Sequence, residues 1–220
     1  MKYFLLSFDD GTVHDQRFVE LLNKYRIPCT FNLNSGLEDF VWQFEGNDVV
    51  RQHLADTPEQ YCGHEIASHT LRHPRLDLLP PPQLRREVEE DCRKLKEIFG
   101  VDEIGFGVPF TFCNEREIRI IRKFVRYIRL SEYADSFELP RDPYHIPIHA
   151  LYNDPDVQEK IEAFARNELP DSLFVMAGHS YELEFLNHWD DMEKLLQYIC
   201  RFDFYVTTTM DFVNRCYPKK

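Results

Sequence analysis

The sequence predicts an α/β fold with a mainly parallel sheet, open or closed into a barrel, and three observations carry that reading. Residues Tyr3 to Phe8 form a nearly continuous apolar and aromatic run without alternation, as expected of a strand buried on both faces. Short apolar runs then alternate with segments of helical periodicity along the whole chain. With 220 residues and a 43% hydrophobic content, the chain can fill one core, so a single domain over 1–220 accounts for it.

The elements follow in order. The first strand ends in Asp9-Asp10-Gly11. Phe18, Leu21, Leu22 and Tyr25 recur at helical spacing, which predicts a helix over 13–25, stopped by Pro28. Thr30-Phe31-Asn32-Leu33 reads as the next strand and closes in Asn34-Ser35-Gly36. Further helices are predicted near 83–99, 114–125, 155–168 and 189–202. Further strands are predicted near 104–108, 126–130, 145–149, 172–178 and 204–208. Pro80-Pro81-Pro82 reads as a rigid turn before a helix, because patterned sequence continues on both sides.

Composition excludes several partners. The net charge of −12 repels phosphate backbones and anionic lipid, which argues against nucleic acid and membrane surfaces. No stretch approaches the apolar length that spans a bilayer. The opening MKYFLLSFDDG offers one lysine and an apolar run too short for a signal-peptide core, and none of the six cysteines forms a C-x-x-C pair. These features predict a cytoplasmic protein with reduced thiols. Oligomeric state is not legible.

In parallel α/β folds the chemistry sits at the carboxyl ends of the strands, so polar residues just after strands carry the functional argument. In SFDDG two carboxylates end a strand, and Gly11 permits a turn that aims both at one cavity; an ordinary Asp-Gly turn is the alternative. His69 and His73, spaced i, i+4, would share one face of a helical turn and suit a divalent metal. Pro74 biases His73 away from the helical region. His64 reads as a surface or hydrogen-bonded core histidine. GFGVPFTFCN, residues 105–114, gives a tight turn whose backbone N–H groups can face a pocket and hold an oxyanion, or simply connect strand to helix. His179 ends an apolar strand in Gly178-His179-Ser180, a place suited to acid–base work or to packing.

Taken together and in this order, the motifs resemble those of the polysaccharide deacetylase family, the NodB-homology group or carbohydrate esterase family four. SFDDG at 7–11 stands for the family's TFDDG, HTLRHP at 69–74 for its histidine motif, VPFTF at 108–112 for its proline-aromatic turn, and VMAGHS at 175–180 for its last strand. The resemblance implies a distorted, incomplete (β/α) barrel. It implies that Asp10, His69 and His73 hold a divalent metal, most simply zinc, and that Asp9 is the general base that activates water. It implies His179 as the general acid and the amide of Phe110 as an oxyanion donor. The activity implied is removal of acetyl groups from N-acetylated carbohydrate. Alternatives on the same site are hydrolysis of a non-sugar amide, an imide or an O-acetyl ester, or carbohydrate binding without cleavage.

The sequence departs from the family pattern in two places. Gly107 and Val108 stand where the third motif's arginine would fall, and no aspartate–tryptophan fourth motif is present. Arg129, after a short strand, is a candidate cation for Asp9; a surface arginine is the other reading. Glu138 and His149 have no assigned role. Tyr181 and Trp189 are candidate walls on which a sugar would stack, with core packing as the alternative.

Overall fold

The computed structural model describes residues 1–111 and 113–219; Phe112, the last residue of the VPFTF turn, lies outside the described residues. The strand order is set by β1 (Lys2–Asp9), which is buried along nearly its whole length on both faces. It pairs in parallel with β10 (Ser172–His179) on one side. On the other side its upper half pairs with β2 (Thr30–Leu33) and its lower half with β11 (Tyr205–Thr207). The sheet continues from β2 through β5 (Glu65–Ser68), β6 (Gly105–Gly107) and β7 (Ile128–Tyr133) to β8 (Ile146–Ile148), all parallel. β9 (Ala150–Leu151) then pairs with β10.

Residues 146–151 thus bring the two ends of the sheet together into a nearly closed barrel. His149 makes the join: its backbone N–H donates to Val175 O at 2.8 Å and its Nδ1 accepts the Val175 N–H at 3.0 Å. Its Nε2 lies 3.1 Å from Ser136 O, and burial pushes its pKa down to about 4, so the ring is neutral and structural.

Helices cover the outside. α1 (Asp15–Tyr25) buries Phe18, Val19 and Leu22 and ends at Arg26 in the left-handed region. α2 (Pro81–Phe99) opens on proline, buries Leu84, Val88, Cys92 and Leu95, and stops at Gly100 with φ 64°. Its solvent face carries the i, i+4 pairs Arg85–Glu89, Arg86–Glu90 and Arg93–Glu97. α3 (Glu115–Ile121) starts in a capping box on Asn114 and Glu117 and is shorter than its periodicity predicts. α4 (Val157–Arg166) and α6 (Trp189–Ile199) fall where the sequence places them. A hairpin of β3 (Val41–Phe44) and β4 (Asn47–Val50), and two further helices, α5 (Ser180–Phe185) and α7 (Thr209–Cys216), are not foreseen. The hairpin turns at Glu45 and Gly46, both at positive φ, as a two-residue turn requires.

Asp91 is among the acids buried away from the strand-end cavity. Asp91 of α2 accepts the Ser35 N–H at 2.7 Å and the hydroxyls of Ser35 and Ser68, each at 2.5 Å. Burial raises its pKa to about 6 despite these bonds. Unfolded, it ionises near pH 4; folded, it keeps its proton to about 6, so stability falls as pH rises through that window, by up to about 3 kcal/mol. Asp91→Asn removes this dependence. Thermal unfolding should therefore show the stability gap between wild type and D91N narrowing from pH 4 to pH 6.5; a constant gap would contradict a buried ionisation.

Candidate active site

Parallel register assembles the site from the strand ends. Asp9 stands opposite His179 on β10 and Asn32 on β2, and Gly107 on β6 stands opposite Arg129 on β7. Asp10 follows at the end of β1 with φ 88°, and Gly11 with φ 66°; this left-handed pair turns the Asp10 side chain into the same cavity as Asp9. A Cβ at Gly11 would also sit 2.9 Å from Leu33 Cδ2.

His69 and His73 are brought together by a loop and not by a helical turn. β5 ends at Ser68, Pro74 follows His73, and Thr70 and His73 take φ 68° and 53°. Asn34 Nδ2 donates to the carbonyls of His69 and Thr70 at 2.5 and 2.8 Å, and Thr70 Oγ1 accepts the His73 N–H at 3.0 Å. The two rings lie 4.8 Å apart. Left-handed backbone at Asp10, Thr70, His73 and Phe110 clusters around one cavity, the kind of strain found at functional sites.

The ligand set fits a divalent ion. One oxygen of Asp10 and one nitrogen each of His69 and His73 lie within 4.8 Å of one another. His69 Nδ1 bonds the Gly107 carbonyl at 2.8 Å, so Nδ1 carries the proton and Nε2, which faces Asp10 at 4.0 Å, has a free lone pair. His73 Nε2 is 3.5 Å from the same carboxylate. Burial, with the His73 ring beside it, holds His69 well below the usual histidine range; burial lowers His73 too, partly opposed by Asp10. Burial pushes the Asp10 carboxyl up, but Arg51 and the three surrounding histidines outweigh it and keep it ionised. Two neutral imidazoles and one carboxylate form a donor set that zinc and similar ions accept.

Asp9 is held separately. Its Oδ1 accepts from Asn32 Nδ2 at 2.7 Å and from Arg129 Nη2, while Oδ2 faces His69 Nε2 at 3.9 Å. Arg129 is 1% exposed, so the surface reading is excluded. A Cβ at Gly107 would lie 2.7 Å from Arg129 Nη2 and 2.6 Å from Asn32 Oδ1. The missing side chain at 107 is what leaves room for an arginine from the next strand.

His179 Nε2 is 3.9 Å from Asp10 Oδ2, and Nδ1 forms an ion pair with Glu182 at 3.2 Å. Burial works against its charge, but Glu182, Asp10 and Asp9 together raise its pKa to about 9, so it carries a proton at neutral pH. Phe110 lines the cavity with φ 56°, its ring 4.6 Å from that of His73. Tyr181 also lines it, 5.1 Å from the His179 ring.

Trp189 does not join them. It packs in the core at the start of α6, its indole N–H donates to Glu184 at 2.6 Å, and Arg17 covers its ring at 4.3 Å. The tryptophan in the cavity is Trp42 of the unforeseen hairpin, with the Arg51 guanidinium 4.4 Å above it. Arg51, buried, donates to Asn34 Oδ1 at 2.7 Å and approaches Asp10 Oδ1 at 3.1 Å. Nothing local in the sequence marks Arg51 or Glu182; both are recruited by the fold. His64 accepts the Cys29 N–H at 3.2 Å and lies outside the cavity lining. Glu138 is also outside that lining.

A parallel, nearly closed barrel with carboxylates and imidazoles gathered at its strand ends defines the class of the fold and site. The chain belongs to the polysaccharide deacetylase family, whose model matches residues 1–125. Its fold is similar to that of the chitin deacetylase from the fungal pathogen Colletotrichum lindemuthianum, with TM-score 0.62 and 17% identity over 99% of this chain and 88% of that one. It is similar as well to a family 4 carbohydrate esterase from Bacillus anthracis, with TM-score 0.62 and 15% identity over 96% and 82% of the two chains. A third likeness is to the family 4 acetyl xylan esterase from Clostridium thermocellum in complex with a cobalt ion, with TM-score 0.62 and 16% identity over 97% and 91%.

Proposed function

We propose that this protein is a metal-dependent hydrolase that removes the acetyl group from an N-acetylated sugar, releasing acetate and a free amine. The observation that carries the reading is the register pair Asp9–His179, flanking the Asp10, His69 and His73 cluster in one cavity. Asp10, His69 and His73 would hold a divalent ion, most simply zinc, which lowers the pKa of water toward ~7 and polarises the acyl carbonyl. Asp9 takes the proton of the attacking water through Oδ2, the oxygen that Arg129 and Asn32 leave unclaimed. The Phe110 amide receives the carbonyl oxygen as charge develops on it. His179, paired with Glu182, gives a proton to the nitrogen as the C–N bond breaks. Family membership and the likeness to deacetylases support this chemistry.

Acetate release from chitooligosaccharides and from peracetylated xylan, beside ring opening of cyclic ureides, tests the substrate class. Release from the first supports the proposal, and turnover of the ureide alone would replace it. His179→Ala should keep its metal and lose far less activity on aryl acetates, whose leaving groups need no acid, than on N-acetyl sugars; equal losses on both would remove the acid role. We also place the enzyme in the cytoplasm. Thiol titration of the denatured, unreduced protein should find its six cysteines free. Two or three disulfides would argue for export.

A further inference from the structure

The mouth of the cavity presents apolar side chains that the proposed chemistry at its floor does not use. The cavity measures about 890 Å³. Phe40, Phe110 and Tyr133 line it while remaining 50%, 49% and 49% exposed, so a large share of the exposed bulky apolar side chains converges on one mouth. Leu37, Ile148 and Leu151 add aliphatic surface, which offers no flat ring face to a sugar. Two of the hydroxyls in the lining are engaged elsewhere. Tyr133 donates to Asp154 at 3.1 Å, and Ser131 donates to the Val108 carbonyl at 2.8 Å. A groove that reads a sugar chain needs free donors and acceptors for each ring's hydroxyls, because an unpaired hydroxyl buried against phenyl and aliphatic groups is costly.

We infer that the substrate is a single N-acetylamino sugar carrying an apolar aglycone, and that the Phe40–Tyr133 mouth binds that aglycone. This rests on the deacetylase reading for the sugar end and on the exposed apolar mouth for the other. Phe40 and Trp42 belong to the hairpin side and stack with ring centres 6.3 Å apart; Tyr133 and Ile148 come from the sheet side. The aglycone lies between them, where burying an alkyl chain of several carbons strengthens binding at least about tenfold.

Calorimetric titration of the metal-loaded Asp9→Asn protein tests this without turnover, using octyl N-acetyl-β-glucosaminide, methyl N-acetyl-β-glucosaminide, N,N′,N″-triacetylchitotriose and N-octylacetamide. The octyl glycoside should bind at least about tenfold tighter than either the methyl glycoside or the chitotriose. Phe40→Ser should abolish most of that preference. Trp42 lines the cavity whereas Trp189 does not, so the octyl glycoside should quench a fluorescence component that is missing from Trp42→Phe. Chitotriose binding as tightly as the octyl glycoside overturns the inference, and so does N-octylacetamide matching it, since the sugar would then contribute nothing. Acetate release by the wild-type protein from the same compounds reports separately on the deacetylase reading. Preferential binding of the octyl glycoside with no acetate from any compound leaves the ligand class standing and removes the reaction.

Discussion

His73→Ala should give a folded protein that no longer retains stoichiometric divalent metal and releases acetate about 10³-fold more slowly. The magnitude is that of removing a Lewis acid worth several kcal/mol from the transition state. The fold should survive because His73 lies in a loop, its side chain is 20% exposed, and it belongs to neither hydrophobic cluster of the core. Asp10 and His69 alone leave two protein ligands, too few for a tight site. Elemental analysis of the purified variant, beside its thermal unfolding, decides the matter. A folded His73→Ala protein with one equivalent of metal would remove the ligand assignment.

Asp9→Asn should keep its metal and lose about 10²–10⁴ in kcat, the usual worth of a general base. The two neighbouring aspartates differ only in position. Asp10 is enclosed by Arg51 and three histidines, whereas Asp9 is held at one oxygen by Arg129 and Asn32 and presents the other to the cavity. An asparagine at position 9 still accepts from Arg129 but leaves that buried guanidinium without its counter-charge, and Arg129→Met strands the Asp9 carboxylate; each should cost stability, up to the ~3–5 kcal/mol of a broken buried pair. Asp10→Asn should weaken the metal itself. If Asp9→Asn loses its metal while Asp10→Asn keeps it, the two roles are reversed.

What the sequence revealed of the site follows from where its chemistry lies along the chain. Asp9, Asp10 and His179 end long apolar strands, and a parallel sheet must bring such ends together, so their convergence was readable from the pattern alone. His69 and His73 were legible as a pair but not in their geometry. Their i, i+4 spacing suggested a helical turn, whereas a strand ending at Ser68 and Pro74 beyond leave only a loop with left-handed residues. Arg129 had two readings because periodicity does not say which way a strand-end side chain points. The space left by Gly107, across a strand pair, settles it. As a tryptophan near the last motif, Trp189 reads from sequence as a wall, yet its position at the start of an amphipathic helix turns it into the core. Trp42 and Arg51 are not legible because the 41–50 hairpin is not, its Glu45-Gly46 turn lacking the asparagine or aspartate that usually announces one. Glu182 is not marked by the sequence because its partnership with His179 depends on α5 starting directly after the strand.

If a single divalent ion on Asp10, His69 and His73 carries the proposed deacetylation, metal titration of the chelator-stripped protein, followed by acetate release from an N-acetylamino sugar glycoside, will register it. Activity should be negligible in the stripped protein, rise in proportion to added zinc or cobalt, and level off at one equivalent per chain. Full acetate release from the stripped protein, or none at any metal loading while the ion binds, would contradict it.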